Sequence, residues 1–241
     1  MFNIIITDSY DKVSSEAFRI MKEELKKEAP VLGLATGSSP IGLYKKMIAD
    51  HNANGTSYDN VTTYNLDEYI GLPREHDQSY WTFMHENLFD QIEMPEENVH
   101  LPDGTGTDPE ASCRKYEEEL SVRQIGLQIL GIGSDGHIGF NEPGTPFDSL
   151  THIAELTEQT RRDNARFFDD NIDLVPKESI TMGLASIMKA AKIIVIATGR
   201  NKADAVYGMI KGPKTEECPA SILQDHDDVT VILDEEAAAR L

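Results

Sequence analysis

Two cysteines, Cys113 and Cys218, are all that the 241 residues hold, and their separation leaves no C-x-x-C pair of the kind that binds zinc or cycles a disulfide. No apolar run approaches the roughly 20 residues of a membrane-spanning helix. The apolar stretch after Met1 is too short and too soon broken for a signal peptide. Cationic residues are scarce: 22 Lys and Arg stand against 42 Asp and Glu, a net charge of −20 with no basic cluster. Nucleic acid and anionic membranes are held by cationic surface, so both are excluded as main partners. There is no repeat of solenoid length and no low-complexity segment. The expected setting is the reducing cytoplasm, and an anionic ligand would need a local positive site.

What is present centres on ten residues, Asp135 to Gly144, reading DGHIGFNEPG. They follow the apolar run Leu127 to Ile132, a buried strand by pattern, and their glycines and proline forbid a helix. The segment is therefore a loop at the end of a core strand, carrying His137 between the carboxylates Asp135 and Glu142. An imidazole with carboxylate neighbours can exchange protons near neutral pH. The plainer alternative is a surface loop with solvated charges.

In chain order, the pattern predicts strands over Phe2 to Ile6, Val31 to Ala35, Val61 to Leu66, Leu127 to Ile132, Ile193 to Ala197 and Val229 to Leu233, with a short one over Thr151 to Leu156. Helices are expected over Asp11 to Glu28, from Pro40 through Ile48, Tyr80 to Phe89, Glu110 to Arg123, Ser179 to Lys189, through Val206 and Ile210, and briefly over Pro219 to Leu223. Pro73 to Gln78 reads as a loop and Pro95 to Pro109 as irregular. Alternating strands and helices with apolar strand interiors indicate an α/β fold: one mainly parallel sheet covered on both faces. No linker divides it.

Three strand ends carry chemistry. Thr36-Gly37-Ser38-Ser39 joins a strand to a helix starting near Pro40, and backbone N–H groups at such a turn bind phosphate; an ordinary cap by Ser38 or Ser39 explains the same residues equally well. Asp67 ends another strand, where ligands gather in parallel sheets, though turn aspartates are common too. The stretch from Ala197 to Lys202, ATGRNK, repeats the placement of the first ATG turn, so the two could converge on one anion with Lys202 adding charge. Arg161, Arg162 and Arg166 make a small basic group near Phe167 and Phe168.

Several motifs fail on context. GIGSDG over 131–136 matches a dinucleotide fingerprint, but no helix follows it. Gly37 and Gly42 have P-loop spacing, but Leu43-Tyr44 replaces the Lys-Ser/Thr. There is no G-x-S-x-G. Asp135 and His137 could ligate a metal, but no second His or Cys set accompanies them.

LATGSSPIGLY, NLDEYIGLP followed by SYWTFM, GIGSDGHIGFNEPG, TRRDNARFF and ATGRNKADAV together resemble, in order, the glucosamine-6-phosphate deaminases. NEPG after DGHIGF is the most specific piece. The related 6-phosphogluconolactonases share the fold and a DGH loop. The resemblance implies a modified Rossmann-like α/β fold in a single domain over residues 1–241. It also implies an isomerising deaminase of N-acetylglucosamine breakdown, turning glucosamine 6-phosphate and water into fructose 6-phosphate and ammonia without metal or other cofactor. By position, the enolisation base falls on Asp67 and the ring-opening group on His137, assisted by Asp135 and Glu142. The phosphate ligands fall on Thr36, Gly37, Ser38, Ser39, Arg166 and Lys202.

One departure stands out. Allosteric members of that family carry basic residues just beyond the NEP loop, whereas here Thr151 to Glu155 contain neither Arg nor Lys, and the chain stops soon after its last strand. The resemblance is thus to short, non-allosteric members, monomers or small homo-oligomers. Lid motion is expected around Thr145 to Asp173. A lactonase and a non-catalytic sugar-phosphate sensor are the competing readings; phosphate binding alone would need none of Asp67, Asp135, His137 and Glu142.

Overall fold

The strand Ile193–Ala197 has five apolar side chains, all of them buried. A strand lined on both faces in this way needs a layer on each side, and the computed structural model, which describes residues 2–241, supplies both. In chain order it comprises β1 (Asn3–Thr7), α1 (Tyr10–Leu25), β2 (Val31–Leu34), α2 (Ile41–Asn54), β3 (Thr62–Asn65), β4 (Asp67–Tyr69), α3 (Tyr80–Asn87), β5 (Val99–His100) and α4 (Pro109–Val122). There follow β6 (Leu127–Leu130), β7 (His152–Glu155), α5 (Glu158–Ala165), β8 (Glu178–Thr181), α6 (Leu184–Ile187), β9 (Ile193–Ala197), α7 (Ala203–Lys211) and β10 (Val229–Asp234).

Seven strands form one parallel sheet in the order β1-β10-β9-β6-β2-β3-β5. Its side chains alternate between two apolar layers. Leu32, Leu34, Ile194 and Ile196 pack with α1, α2 and α3, while Val31, Ile193, Val195 and Ala197 pack with α4, α6 and α7. Each fully buried Leu or Ile contributes about 1.5–3 kcal/mol, so these layers are the main source of stability. β6 lies beside β2, and from that boundary the chain runs outward in both directions. A crevice opens at such a reversal, beyond the carboxyl ends of the strands.

A second, antiparallel sheet of order β4-β8-β7 was not expected. The sequence pattern predicts one helix from Ser179 to Lys189, but Ser179 to Thr181 lie in β8, paired on both sides, and only Leu184–Ile187 is helical. The β-branched pair Ile180-Thr181 suits a strand, and Gly183 separates it from the short helix. Other differences are small. α1 ends at Leu25, three residues before the expected limit, and Pro95 to Pro109 contain the two-residue strand β5. Pro219–Asp225 is a 3-10 helix. No helix among the described residues is long and apolar enough to cross a membrane.

The two sheets meet at one residue. The Leu66 N–H donates to Leu34 O in the large sheet at 3.1 Å, and its carbonyl accepts from Met182 N beside the small one at 2.7 Å. The residue after β3 therefore passes the chain directly into β4, and Asp67 is the first residue on the far side.

Candidate active site

The carboxyl ends of β3, β2, β6 and β9 surround a cavity of about 670 Å³. β4, which begins just beyond β3, delivers Asp67, β2 the turn Thr36 to Ser39, β6 the loop with His137, and β9 the turn with Lys202. Helix α5 and the residue after it close the rim with Arg162, Asp163, Asn164 and Arg166.

Asp67 is buried, at 5% exposure. Burial first, then the charge of Glu68, push its carboxyl up to about 8, with His137 pulling the other way. Glu68 is buried as well but is held: its Oε1 accepts from Tyr69 N at 2.8 Å and Tyr80 N at 2.9 Å, and its Oε2 from Trp81 N at 2.9 Å. A carboxylate at the first N–H groups of α3 is favoured by the helix dipole. It fixes the aromatic wall formed by Tyr80, whose hydroxyl donates to that of Tyr69 at 3.3 Å.

The His137 cluster is built by the turn that sequence pattern anticipates. Gly133 N donates to His137 O at 2.9 Å, and His137 N to Asp135 Oδ1 at 3.1 Å. A Cβ at Gly133 would stand 2.3 Å from His137 Nδ1, so only glycine leaves room for the ring. Nδ1 lies 2.8 Å from Asp135 Oδ1 and 3.6 Å from Glu142 Oε2. The shorter contact pairs the ring with the Asp135 carboxylate. Burial opposes charge on the ring, but the Asp135 carboxylate and then Glu142 outweigh it, so the His137 pKa stands above the usual value while Lys202 trims the rise. Burial would raise Asp135, yet His137 takes it down to about 2. The ligand atoms of Asp135, His137 and Glu142 fall within 4.8 Å of one another, which is compact enough for a cation. The set offers one imidazole and two carboxylates, one of whose oxygens is already engaged by threonine hydroxyls.

Both ATG turns reach the cavity, but they are not equivalent. At the first, Tyr10, from the start of α1, organises the chain: its hydroxyl donates to Ser38 O at 2.8 Å and accepts from Gly42 N at 2.7 Å. At the second, the Gly199 N–H is taken by both oxygens of Asp234, at 3.0 and 2.9 Å. Lys202 is half-buried and lines the cavity together with Arg166. Burial first depresses its ammonium, Asp163 and Asp135 support it, and Arg166 depresses it further. An anion placed between the two cations would relieve both. The Arg166 guanidinium stacks on Phe167, 4.7 Å from the ring centre. Arg161, by contrast, turns away and donates to Ile172 O at 2.7 Å.

Residues 7–232 match the family described as glucosamine-6-phosphate isomerases/6-phosphogluconolactonase. The chain belongs to this family. Within it, a glucosamine-6-phosphate deaminase of Halalkalibacterium halodurans is 50% identical over 240 residues, covering 99% of this chain and 97% of that one. The glucosamine-6-phosphate deaminase of Streptococcus thermophilus is 53% identical over 225 residues, 93% and 94% of the two chains. A solved monomeric glucosamine-6-phosphate deaminase superposes with a TM-score of 0.97 at 42% identity, over the full length of both chains. The 6-phosphogluconolactonase of Trypanosoma brucei superposes at 0.81 with 20% identity, covering 100% of this chain and 99% of that one, a likeness of fold.

All ten site residues expected from sequence belong to this one arrangement within the isomerase/lactonase family fold. Asp67, His137, Arg166, Lys202 and Thr36 to Ser39 line the cavity, and Asp135 and Glu142 stand behind His137. Sequence reasoning passed over Tyr10, Glu68, Tyr69, Tyr80, Thr160 and Asn164. Contacts such as Tyr10 to Ser38, Asn164 to Tyr69 and Thr160 to Glu142 join segments that only the fold brings together.

Proposed function

We propose that this chain is a cytoplasmic glucosamine-6-phosphate deaminase of amino-sugar breakdown, working as one domain over residues 1–241 without a metal or other cofactor. The observation that carries the reading is a buried carboxylate, Asp67, facing the same cavity as the His137 cluster and the cationic pair Arg166 and Lys202. Full-length identity of about 50% to curated deaminases supports it.

The substrate's phosphate sits between the Thr36 to Ser39 turn, Arg166 and Lys202, which supply the positive site that a chain of charge −20 otherwise lacks. This holds C1 and C2 beside Asp67, a positioning effect. The cyclic sugar opens when a proton passes from the 1-hydroxyl to the ring oxygen. His137 carries it, with Asp135 and Glu142 stabilising the charged ring. In the open aldehyde, the C2 hydrogen lies next to a carbonyl and Asp67 removes it. The aldehyde oxygen takes a proton from the C2 ammonium as the enolamine forms. Asp67 returns its proton to C1 to leave the protonated 2-imine of a ketose, and water adds at C2 and releases ammonia and fructose 6-phosphate. A carboxyl with a pKa of about 8 is a strong base once ionised. An ammonium on C2 would favour that ionised form when substrate arrives.

Ammonia and fructose 6-phosphate released in equal amounts from glucosamine 6-phosphate, without added metal or nucleotide, is the expected result. Neither product from folded protein, together with hydrolysis of 6-phosphogluconolactone, would replace this reading with the lactonase. Binding without either reaction would leave a sensor.

A further inference from the structure

Helix α5 begins in an unusual way. Thr157 caps it, its Oγ1 accepting from Thr160 N at 3.2 Å. In a capping box the third helical residue is Glu or Gln, whose side chain reaches back to the cap's own N–H. That position here is Thr160, too short to do so. The acceptor comes instead from the His137 loop: Glu142 Oε1 accepts from Thr157 N at 3.3 Å, from Thr157 Oγ1 at 3.4 Å and from Thr160 Oγ1 at 2.5 Å. Thr160 is 5% exposed and Glu142 7%. The other oxygen, Oε2, is buried without a hydrogen-bond partner and lies 3.6 Å from His137 Nδ1.

The two oxygens of a carboxylate are chemically equivalent, so its placement is set by the pair of neighbours they reach together. An unpartnered buried oxygen is costly, and without the threonine donors the Glu142 carboxylate would lose the contacts that hold one of its oxygens and so keep the other beside the ring. The Thr160 hydroxyl already occupies Oε1 and leaves Oε2 to face the ring. One turn further along α5, Asn164 Nδ2 donates to the Tyr69 hydroxyl at 2.9 Å, so the helix is fastened at two points on its inner face. The residues that it and its C-terminal end bring to the cavity include Arg166.

We infer that Thr160 is a positioning residue: it holds the Glu142 carboxylate against His137 and so couples the seating of α5 to ring opening. This rests on the deaminase reading above. The groups facing His137 are Asp135 and Glu142 from its own loop, Lys202 from the turn before α7 and Asp67 from β4.

The test compares Thr160→Val and Thr160→Ser with the parent enzyme on glucosamine 6-phosphate. Valine should lower kcat up to about 100-fold, the scale of misplacing one group in a site, with KM nearly unchanged. The pH limb set by His137 should move to lower pH, because Glu142 no longer supports the charged ring. Serine should restore both. Thr160→Ala, a better helix former, repeats the test without the bulk of valine. In a Glu142→Ala background a further Thr160→Val change should cost nothing more, since residues acting through one contact are not additive. Wild-type kcat and pH profile in both Val and Ala variants, or a full additional loss in the Glu142→Ala background, would overturn the inference. Absence of ammonia from the parent enzyme would instead remove the deaminase reading beneath it.

Discussion

Asp67 and Glu68 are consecutive and both buried, yet only Glu68 has its carboxylate held by backbone N–H groups. Among the described residues no donor is hydrogen-bonded to the Asp67 carboxylate. As neighbours in β4 the two side chains leave opposite faces of the strand, one towards α3 and the other towards the cavity. Glu68 therefore acts as an anchor, and its charge helps to keep Asp67 protonated.

A pH profile follows from that pair. Proton abstraction needs ionised Asp67, so kcat/KM should climb with pH until Asp67 is deprotonated, near 8 in the free enzyme. Glu68→Gln removes a neighbouring negative charge and should shift the climb to lower pH, with some loss of heat stability where the amide meets backbone N–H groups. Initial rates across the neutral and mildly alkaline range measure both. A climb unmoved by Glu68→Gln would separate it from Asp67.

Asp67→Asn should abolish turnover yet stabilise the fold. Asp67 is protonated in the folded chain up to about pH 8, whereas in the unfolded chain it ionises near 3.8. Between these values the unfolded state binds fewer protons, so stability falls as pH rises through that window. Asparagine escapes this penalty. The gain should be small near pH 4 and greatest above 8, on the order of a few kcal/mol, or roughly 5–10 °C in Tm for a domain of this size. Melting curves at several pH values, with sugar-phosphate binding measured alongside, decide it. Retained turnover would remove Asp67 from the base role.

The sequence exposed the parts of this site whose signal is local. His137, Asp135 and Glu142 fall within eight residues of one glycine-rich loop, and both ATG turns follow apolar strands, so their placement could be read directly. The parallel sheet was legible for the same reason, since strands such as Ile193–Ala197 are continuous apolar runs. The small antiparallel sheet was hidden. β4 is three residues long and follows β3 after Leu66 alone, while β8 shares its stretch with enough helix-compatible spacing to pass as one helix. Long-range anchors such as Tyr10 on the Ser38 turn, or Asp234 on Gly199, depend on pairings that only the fold brings together.

The cationic corner predicts a split between binding and chemistry. A charged hydrogen bond to phosphate contributes about 1.5–3 kcal/mol, so Arg166→Ala should raise KM by about 10- to 100-fold and lower kcat much less. Lys202→Ala should raise KM similarly, but it also removes a positive charge that lowers the His137 pKa. Its His137-dependent limb should therefore move to higher pH, which Arg166→Ala need not reproduce. Equal KM in parent and variants would place the phosphate elsewhere.

Saturation by glucosamine 6-phosphate should be hyperbolic and indifferent to N-acetylglucosamine 6-phosphate. The stretch that would carry effector-binding cations, His152 to Glu155, forms β7 and pairs along its length with β8. The His152 ring nitrogen Nδ1 is engaged with Leu150 O at 2.8 Å, and exposed Glu155 ends the strand. A phosphate approaching there would meet a carboxylate and no Lys or Arg within the strand. Like charge at close range opposes binding, and a ligand without differential affinity for two states shifts neither. Initial rates over a range of substrate, with and without the acetylated sugar phosphate, are the measurement. Sigmoidal saturation that the effector straightens would mean that cations from outside β7 build an effector site.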